Sequence, residues 1–213
     1  AEYEATVRAP LCFVHSARPV HPKGARQRDV RICGMPPPSS GTLAMGQILG
    51  LLAHTPASRF QLQRSPSGPV PGSDWLHLYA EASRLAFADR AVYVADPDYV
   101  PPPGNSWMSL LDDDYLAQRA KLIGSGPRAR RMPEAPAGIP AGVQQSLGPM
   151  PEQAEYGTSH ISIVDGQGRA LAMTSSIEAA WGAHLMVNRG QGLAGGFLLN
   201  NQLTDFSSDA EEN

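Results

Sequence analysis

From Gly124 to Gly157 the chain carries Pro127, Pro133, Pro136, Pro140, Pro149 and Pro151, interspersed with glycines and without an apolar period of either 3.6 or 2 residues. Proline lacks a backbone donor and fixes φ, so neither a helix interior nor a central strand runs through such a stretch. The composition is that of a flexible linker, and a linker this long inside a compact domain needs a reason. Directly after it the character changes. Ile161, Ile163 and Val164 are β-prone, Asp165-Gly166-Gln167-Gly168 has the chemistry of a hairpin turn, and Ala170 to Met173 resume a strand pattern. The chain is therefore expected in three parts: residues 1–123, a flexible linker over 124–157, and a sheet over 158–213 that opens on a buried strand at Thr158.

In the first part, Pro10 to Val14 and Asp29 to Cys33 are short β-prone runs around a polar stretch holding His15, His21 and Lys23. No carboxylate or cysteine set accompanies these histidines, so a solvated loop is expected rather than a metal site. Cys12 and Cys33 likewise lack a further ligand at metal spacing. They leave two readings open, a disulfide or two small buried residues. Met35-Pro36-Pro37-Pro38-Ser39-Ser40-Gly41 follows, with Ser39 or Ser40 suited to cap a helix carrying Leu43, Ile48, Leu49, Leu51 and Leu52 and ending at Pro56. Ser73 and Asp74 are expected to cap the clearest helix, whose apolar positions Trp75, Leu78, Tyr79, Ala82, Leu85, Ala86 and Val92 recur by threes and fours until Asp96-Pro97. A shorter amphipathic helix is expected over Leu111 to Ile123. Asp112, Asp113 and Asp114 near its start suit the helix dipole and need no metal.

Charge and hydropathy exclude two functions. Seventeen Lys and Arg against twenty Asp and Glu give a net charge of -3, which supplies no phosphate-binding footprint for nucleic acid. No apolar run reaches the roughly 18 residues of a membrane-spanning helix.

A tether running into Gly157-Thr158 ahead of a strand suggests one kind of chemistry. Cleavage of that bond would leave Thr158 with a hydroxyl nucleophile and an α-amine on the same residue. An α-amine, with a reference pKa of about 7.7–8.0, can take the hydroxyl proton near neutral pH. Gly157 is small enough to let the threonine hydroxyl approach the preceding carbonyl. His160 is expected to be structural, because adjacent strand residues point to opposite faces and Ser159 cannot pair with it.

Four blocks along the chain resemble the γ-glutamyltranspeptidase family. Cys33-Gly34-Met35-Pro36-Pro37-Pro38-Ser39-Ser40-Gly41 is similar to its proline-rich motif. Glu81-Ala82 and Leu85-Ala86-Phe87-Ala88-Asp89-Arg90, followed by Asp96-Pro97, resemble its long helix. Thr158-Ser159-His160 with Ile163-Val164-Asp165 resembles the start of its small subunit. Gly196-Phe197-Leu198-Leu199-Asn200-Asn201-Gln202 with Asp205-Phe206-Ser207 resembles its substrate-binding segment. The blocks stand in family order over nearly the whole chain.

The resemblance implies an α+β chain, part of the αββα sandwich of N-terminal-nucleophile hydrolases, that self-cleaves at Gly157–Thr158. It implies that residues 1–123 end a large subunit and that residues 158–213 begin a small one. Thr158 is then the nucleophile, Ser176 a hydroxyl bonded to it, and Gln202 and Asp205 the groups that hold the α-amino group of a γ-glutamyl substrate. Glu178 stands where many members have an asparagine contacting the glutamyl end. A negative charge there disfavours a nearby substrate carboxylate, which keeps open an acylase acting on a glutaryl cephalosporin or similar amide. The family uses no metal or organic cofactor, and its members are usually exported. Its carboxylate-binding arginine, serine pair and Gly-Gly oxyanion hole have no match here; Gly195-Gly196 precedes the substrate segment. The chain is thus expected to be an internal piece, inactive alone, whose partners are a small γ-glutamyl substrate and the remainder of its own subunits. A non-catalytic truncated product is the reading from a different class.

Overall fold

A computed structural model of the chain describes residues 7–17, 28–60, 62–66, 68–126, 129–143, 148, 158–187 and 195–202. Its content is α+β, and it divides into two compact units, Ala1–Pro149 and Met150–Glu212.

The first unit opens with an antiparallel hairpin of β1 (Leu11–Ala17) and β2 (Arg28–Gly34), in the register Leu11 opposite Gly34 and Cys12 opposite Cys33. The two β-prone runs of the sequence are these strands. The chain then passes through the prolines into α1 (Gly41–Ala53). Ser40 stands at the cap position, but its side chain caps nothing there; its Oγ instead accepts a hydrogen bond from Arg90 Nε at 2.9 Å. A small hairpin of β3 (Gln63–Ser65) and β4 (Gly68–Val70) leads to α2 (Ser73–Tyr93), which starts after Gly72, so Ser73 and Asp74 lie in its first turn rather than before it. A 3-10 turn at Trp107–Leu111 precedes α3 (Asp113–Ala120). Asp112 caps α3 by accepting from the backbone N–H of Tyr115 at 3.1 Å, with Asp113 and Asp114 in the first turn as the dipole argument requires.

Leu43, Leu51, Leu78, Leu85, Leu110 and Leu116 form the core between these three helices, all nearly inaccessible to water. Each contributes about 1.5–3 kcal/mol through burial. The buried face of α2 follows the expected spacing at Leu78, Ala82, Leu85 and Ala86, but it also buries Glu81 and Asp89. Apolar periodicity does not reveal those two carboxylates. Asp89 accepts four hydrogen bonds: Gln47 Nε2 at 2.7 Å and Tyr115 Oη at 2.7 Å on one oxygen, Arg119 Nη2 at 2.9 Å and the Gly138 backbone N–H at 2.8 Å on the other. A buried carboxylate is tolerated when its lone pairs are filled in this way.

The same acids hold residues 129–143, the first part of the stretch that the sequence presents as a flexible linker. Both backbone groups of Met132 are taken: its N–H donates to Glu81 Oε2 at 2.9 Å and its carbonyl accepts from Arg84 Nη1 at 2.8 Å. Both groups of Gly138 are taken too, since its carbonyl accepts from Tyr93 Oη at 2.6 Å while its N–H goes to Asp89. A Cβ at Gly138 would run into the Tyr115 hydroxyl and the Arg119 side chain, so only glycine lets the backbone come this close. Between Met132 and Gly138 the expectation of a loose tether therefore gives way to a strap, because side chains of α2 bond both backbone groups of these two residues. Gly157 and most of 144–157 lie outside the described residues.

The second unit consists of two hairpins. β5 (Ser159–Val164) pairs antiparallel with β6 (Ala170–Ser175), and β7 (Met186–Val187) with β8 (Phe197–Leu198). Asp165 makes the first turn: its Oδ1 accepts from the N–H groups of Gln167 and Arg169, its Oδ2 from Arg169 Nε at 2.6 Å, and Gly168 supplies φ +80°. The turn and both strands lie where the sequence puts them. The strand after Thr158 is not buried as expected, however. All six β5 residues are exposed, because a two-stranded sheet has no layer of its own to cover either face.

Candidate active site

Alternation along β5 and β6 sorts the side chains of this hairpin. Ile161, Ile163, Leu171 and Met173 share one face; His160, Ser162 and Thr174 share the other. The last paired residues at the open end are Ser159 and Ser175, so Thr158 and Ser176 follow as the next opposed pair on the hydroxyl-bearing face. Thr158 Oγ1 donates to Ser176 Oγ at 3.0 Å. The bond follows from the strand register that sets these two residues opposite each other.

Ser176 Oγ accepts a second hydrogen bond, at 3.0 Å, from the backbone N–H of Glu178. That bond belongs to a turn in which Glu178 adopts φ +68°, an unfavourable conformation for a residue with a side chain. The turn folds the Glu178 carboxyl inward. Its Oε2 is enclosed and has no hydrogen-bond partner among the described residues. A carboxylate oxygen left so is one that a cation from outside the segment can satisfy.

A second segment is laced to this turn. Asn201 Oδ1 accepts from the Ala179 N–H at 3.0 Å, and the Asn201 N–H donates to the Ile177 carbonyl at 3.3 Å. Ala183 N–H donates to the Leu199 carbonyl at 2.9 Å. Gly182, at φ +54°, is where the two segments touch most closely, since a Cβ there would collide with the Leu199 carbonyl oxygen. Gln202 ends the described part of this segment; it is exposed, with its N–H bonded to Asn200 Oδ1 at 3.1 Å. Thr158, Ser176 and Glu178 are thus linked by direct hydrogen bonds, and Gln202 follows the residue that ties the second segment to them. Asp205 and Gly157 lie outside the described residues.

Asn201 is the residue of this arrangement that motif reasoning does not single out. Its signal in the sequence is an Asn doublet after a short apolar run, the kind of residue that satisfies turn backbones. His160 engages both ring nitrogens locally, Nδ1 with Thr174 Oγ1 at 2.8 Å and Nε2 with Ser162 Oγ at 3.1 Å. It serves the sheet face and makes no pair with Ser159, as expected from strand alternation.

Comparison with known proteins agrees with these blocks. The family model described as gamma-glutamyltranspeptidase matches residues 1–213. The Escherichia coli protein named glutathione hydrolase proenzyme is 30% identical over 208 residues, covering 98% of this chain and 29% of that protein. A Pseudomonas protein named acylase ACY 1 proenzyme is 30% identical over 179 residues, covering 84% of this chain and 26% of that protein. The crystal structure of Helicobacter pylori gamma-glutamyltranspeptidase is 28% identical and superposes with a TM-score of 0.45 over 65% of this chain and 33% of that one, a likeness too low to bear on the fold. The chain spans less than a third of the length of the curated relatives it matches. With a family match over its full length, this chain belongs to the gamma-glutamyltranspeptidase family.

Proposed function

We propose that the chain is the central part of a precursor that cuts itself at Gly157–Thr158 and then transfers or hydrolyses γ-glutamyl groups through an ester on Thr158. In this reading residues 1–123 close the large subunit, residues 124–157 lead to the junction, and residues 158–213 open the small subunit of an αββα sandwich. The observation that carries it is the 3.0 Å hydrogen bond from Thr158 to Ser176. It fixes the threonine rotamer beside a hydroxyl able to bond the oxygen as charge develops there.

Both chemical stages use the same atom. In processing, Thr158 Oγ1 attacks the Gly157 carbonyl, the C–N bond breaks, the departing nitrogen takes the hydroxyl proton, and water hydrolyses the resulting ester. Thr158 is left with a free α-amine. In turnover, that amine accepts the hydroxyl proton as Oγ1 attacks the γ-carbonyl of the substrate, and passes it to the leaving amine. Water or an amino acid then releases the glutamyl group from the ester.

The substrate ammonium is assigned to Glu178, Gln202 and Asp205. Support comes from the enclosed Glu178 Oε2, without a partner among the described residues, which suits a cation and repels a carboxylate. A glutaryl substrate has no ammonium to offer that oxygen. The acylase reading rests on the 30% identity to the acylase proenzyme, and a glutaryl amide is the substrate that would distinguish it. The test is the mass of the full-length protein beside its Thr158→Ala variant, followed by assay of γ-glutamyl and glutaryl anilides. Cleavage of the wild type alone, with turnover of the γ-glutamyl anilide, supports the proposal. An uncut, folded wild type refutes self-processing. Turnover of only the glutaryl anilide transfers the assignment to an acylase.

A further inference from the structure

Cys12 and Cys33 stand directly opposite each other in β1 and β2, with Cα atoms 4.1 Å apart, and their sulfurs are bonded. Separations this short belong to the narrow, non-hydrogen-bonded positions of an antiparallel pair, where two side chains lie side by side. The face on which they sit decides between the two readings that the sequence leaves open. Leu11 and Phe13 are on the other side of the hairpin, where Leu11 packs against the helical core and Phe13 lies close to Gly46 of α1. Cys12 and Cys33 share the outer face with Val14, which is 66% exposed, and Cys33 is itself exposed. They are not a buried apolar pair, and no packing among the described residues explains two cysteines at these positions.

We propose that Cys12–Cys33 is a structural disulfide formed outside the reducing cytoplasm, and that it clamps the hairpin at the point where the chain leaves the sheet. Two features place the clamp where it has an effect. A two-stranded hairpin is marginal in water without further support. This one is joined only one residue pair from its end, two residues before Met35, whose carbonyl accepts from Thr42 Oγ1 of α1 at 3.0 Å. The covalent link therefore holds the outer face of the strand pair while packing holds the inner one, and the entry to α1 stays in register. In the unfolded chain the same bond closes a loop with a sequence separation of 21, which removes conformational freedom from the unfolded ensemble.

Formation requires an oxidant, taken here to be a protein or low-molecular-weight disulfide. One cysteine thiolate attacks that disulfide and releases one of its thiols. The second cysteine thiolate then displaces the other. Two protein thiols are oxidised, one donor disulfide is reduced to two thiols, and two protons pass from the cysteines to the donor. Oxidising compartments supply such donors, and the cytoplasm generally does not. The proposal is independent of the reaction proposed at Thr158.

The experiment uses the full-length protein in its own host. Cells are quenched in acid, free thiols are alkylated with one mass tag, the protein is reduced, and newly freed thiols take a second tag. Cys12 and Cys33 are expected to carry the second tag; the first tag on both would overturn the disulfide. In parallel, hydrogen exchange is followed on the purified wild type before and after mild reduction, so that no variant has to fold. Amides of β1 and β2 are expected to exchange about 10- to 100-fold faster once reduced, and a Cys12→Ser variant should match the reduced protein. Unchanged exchange in both strands would overturn the clamp.

Discussion

Thr158 and Ser176 are joined hydroxyl to hydroxyl at 3.0 Å, one step beyond the last paired residues of a hairpin whose turn lies at the far end. Their meeting depends on the residue count through Asp165–Gly168, because a one-residue slip would move one of them to the opposite face. On the proposed mechanism, Ser176→Ala in the full-length protein should therefore slow self-cleavage and turnover by about tenfold, the loss of one modest hydrogen bond at Thr158 Oγ1. Ser176→Thr should retain most of both rates. Cleavage is timed by the conversion of precursor into two chains, and a Ser176→Ala precursor that processes at the wild-type rate would contradict the assigned role.

The enclosed oxygen of Glu178 makes a separate prediction. Glu178→Gln keeps the shape and removes the charge, so it should raise KM for a γ-glutamyl anilide by about 10- to 100-fold, the value of a charge-assisted hydrogen bond. Activity toward a glutaryl anilide should stay level or rise. Steady-state kinetics on both substrates decides this; equal losses on the two would mean that Glu178 serves only the turn.

Asp89 holds four donors in a buried site, so replacing it should cost far more than a surface change. Asp89→Ala leaves Arg119 as a buried charge without its carboxylate and should destabilise the first unit by about 3–5 kcal/mol. Urea unfolding of the full-length protein, followed by the fluorescence of a tryptophan in this unit, measures it. Limited proteolysis should also show earlier cutting between residues 129 and 143, because Gly138 loses the acceptor of its N–H.

Tyr115 carries the expected alkaline response. Burial first, then the charge of Asp89 and the hydrogen bond to it, raise its pKa far above the ordinary value of 10.0. A phenol whose folded pKa is raised contributes stability that is fully present below its unfolded pKa near 10 and is lost as pH climbs toward the folded value. The first unit should thus keep its Tyr115 contribution through neutral pH and begin to lose it above about pH 10. Tyr115→Phe should be less stable at neutral pH and show a shallower alkaline decline. Unfolding midpoints from pH 8 to 11 test this, and parallel curves for the two proteins would count against it.

Much of the layout is local and is legible as such. Helix α1 ends where Pro56 interrupts it, α3 begins where Asp112 can cap it, and the Asp165 turn sets a hairpin because its carboxylate bonds the N–H groups two and four residues on. In the sequence, Ser176 is marked only by the family resemblance; strand period and turn length are what set it opposite Thr158 in the structure. What the sequence could not determine is which polar residues go inside. Glu81 and Asp89 fall on the buried stripe of α2 beside leucines, and only the approach of Gln47, Tyr115, Arg119 and the 129–143 backbone from other elements supplies the donors that make burial tolerable. The proline-rich stretch reads as a linker because it has no periodic pattern of its own, yet Met132 and Gly138 are held through backbone groups that every residue except proline possesses. Beyond excluding proline as a donor, backbone hydrogen bonding leaves a mark on amino-acid identity only where close approach demands glycine, as at Gly138. The sequence by itself therefore determined the family and the local elements, and the strand period that opposes Thr158 to Ser176. The tertiary structure decided the buried charges, the strap they hold and the outward face of Cys12 and Cys33, because each depends on contacts between residues far apart in the chain.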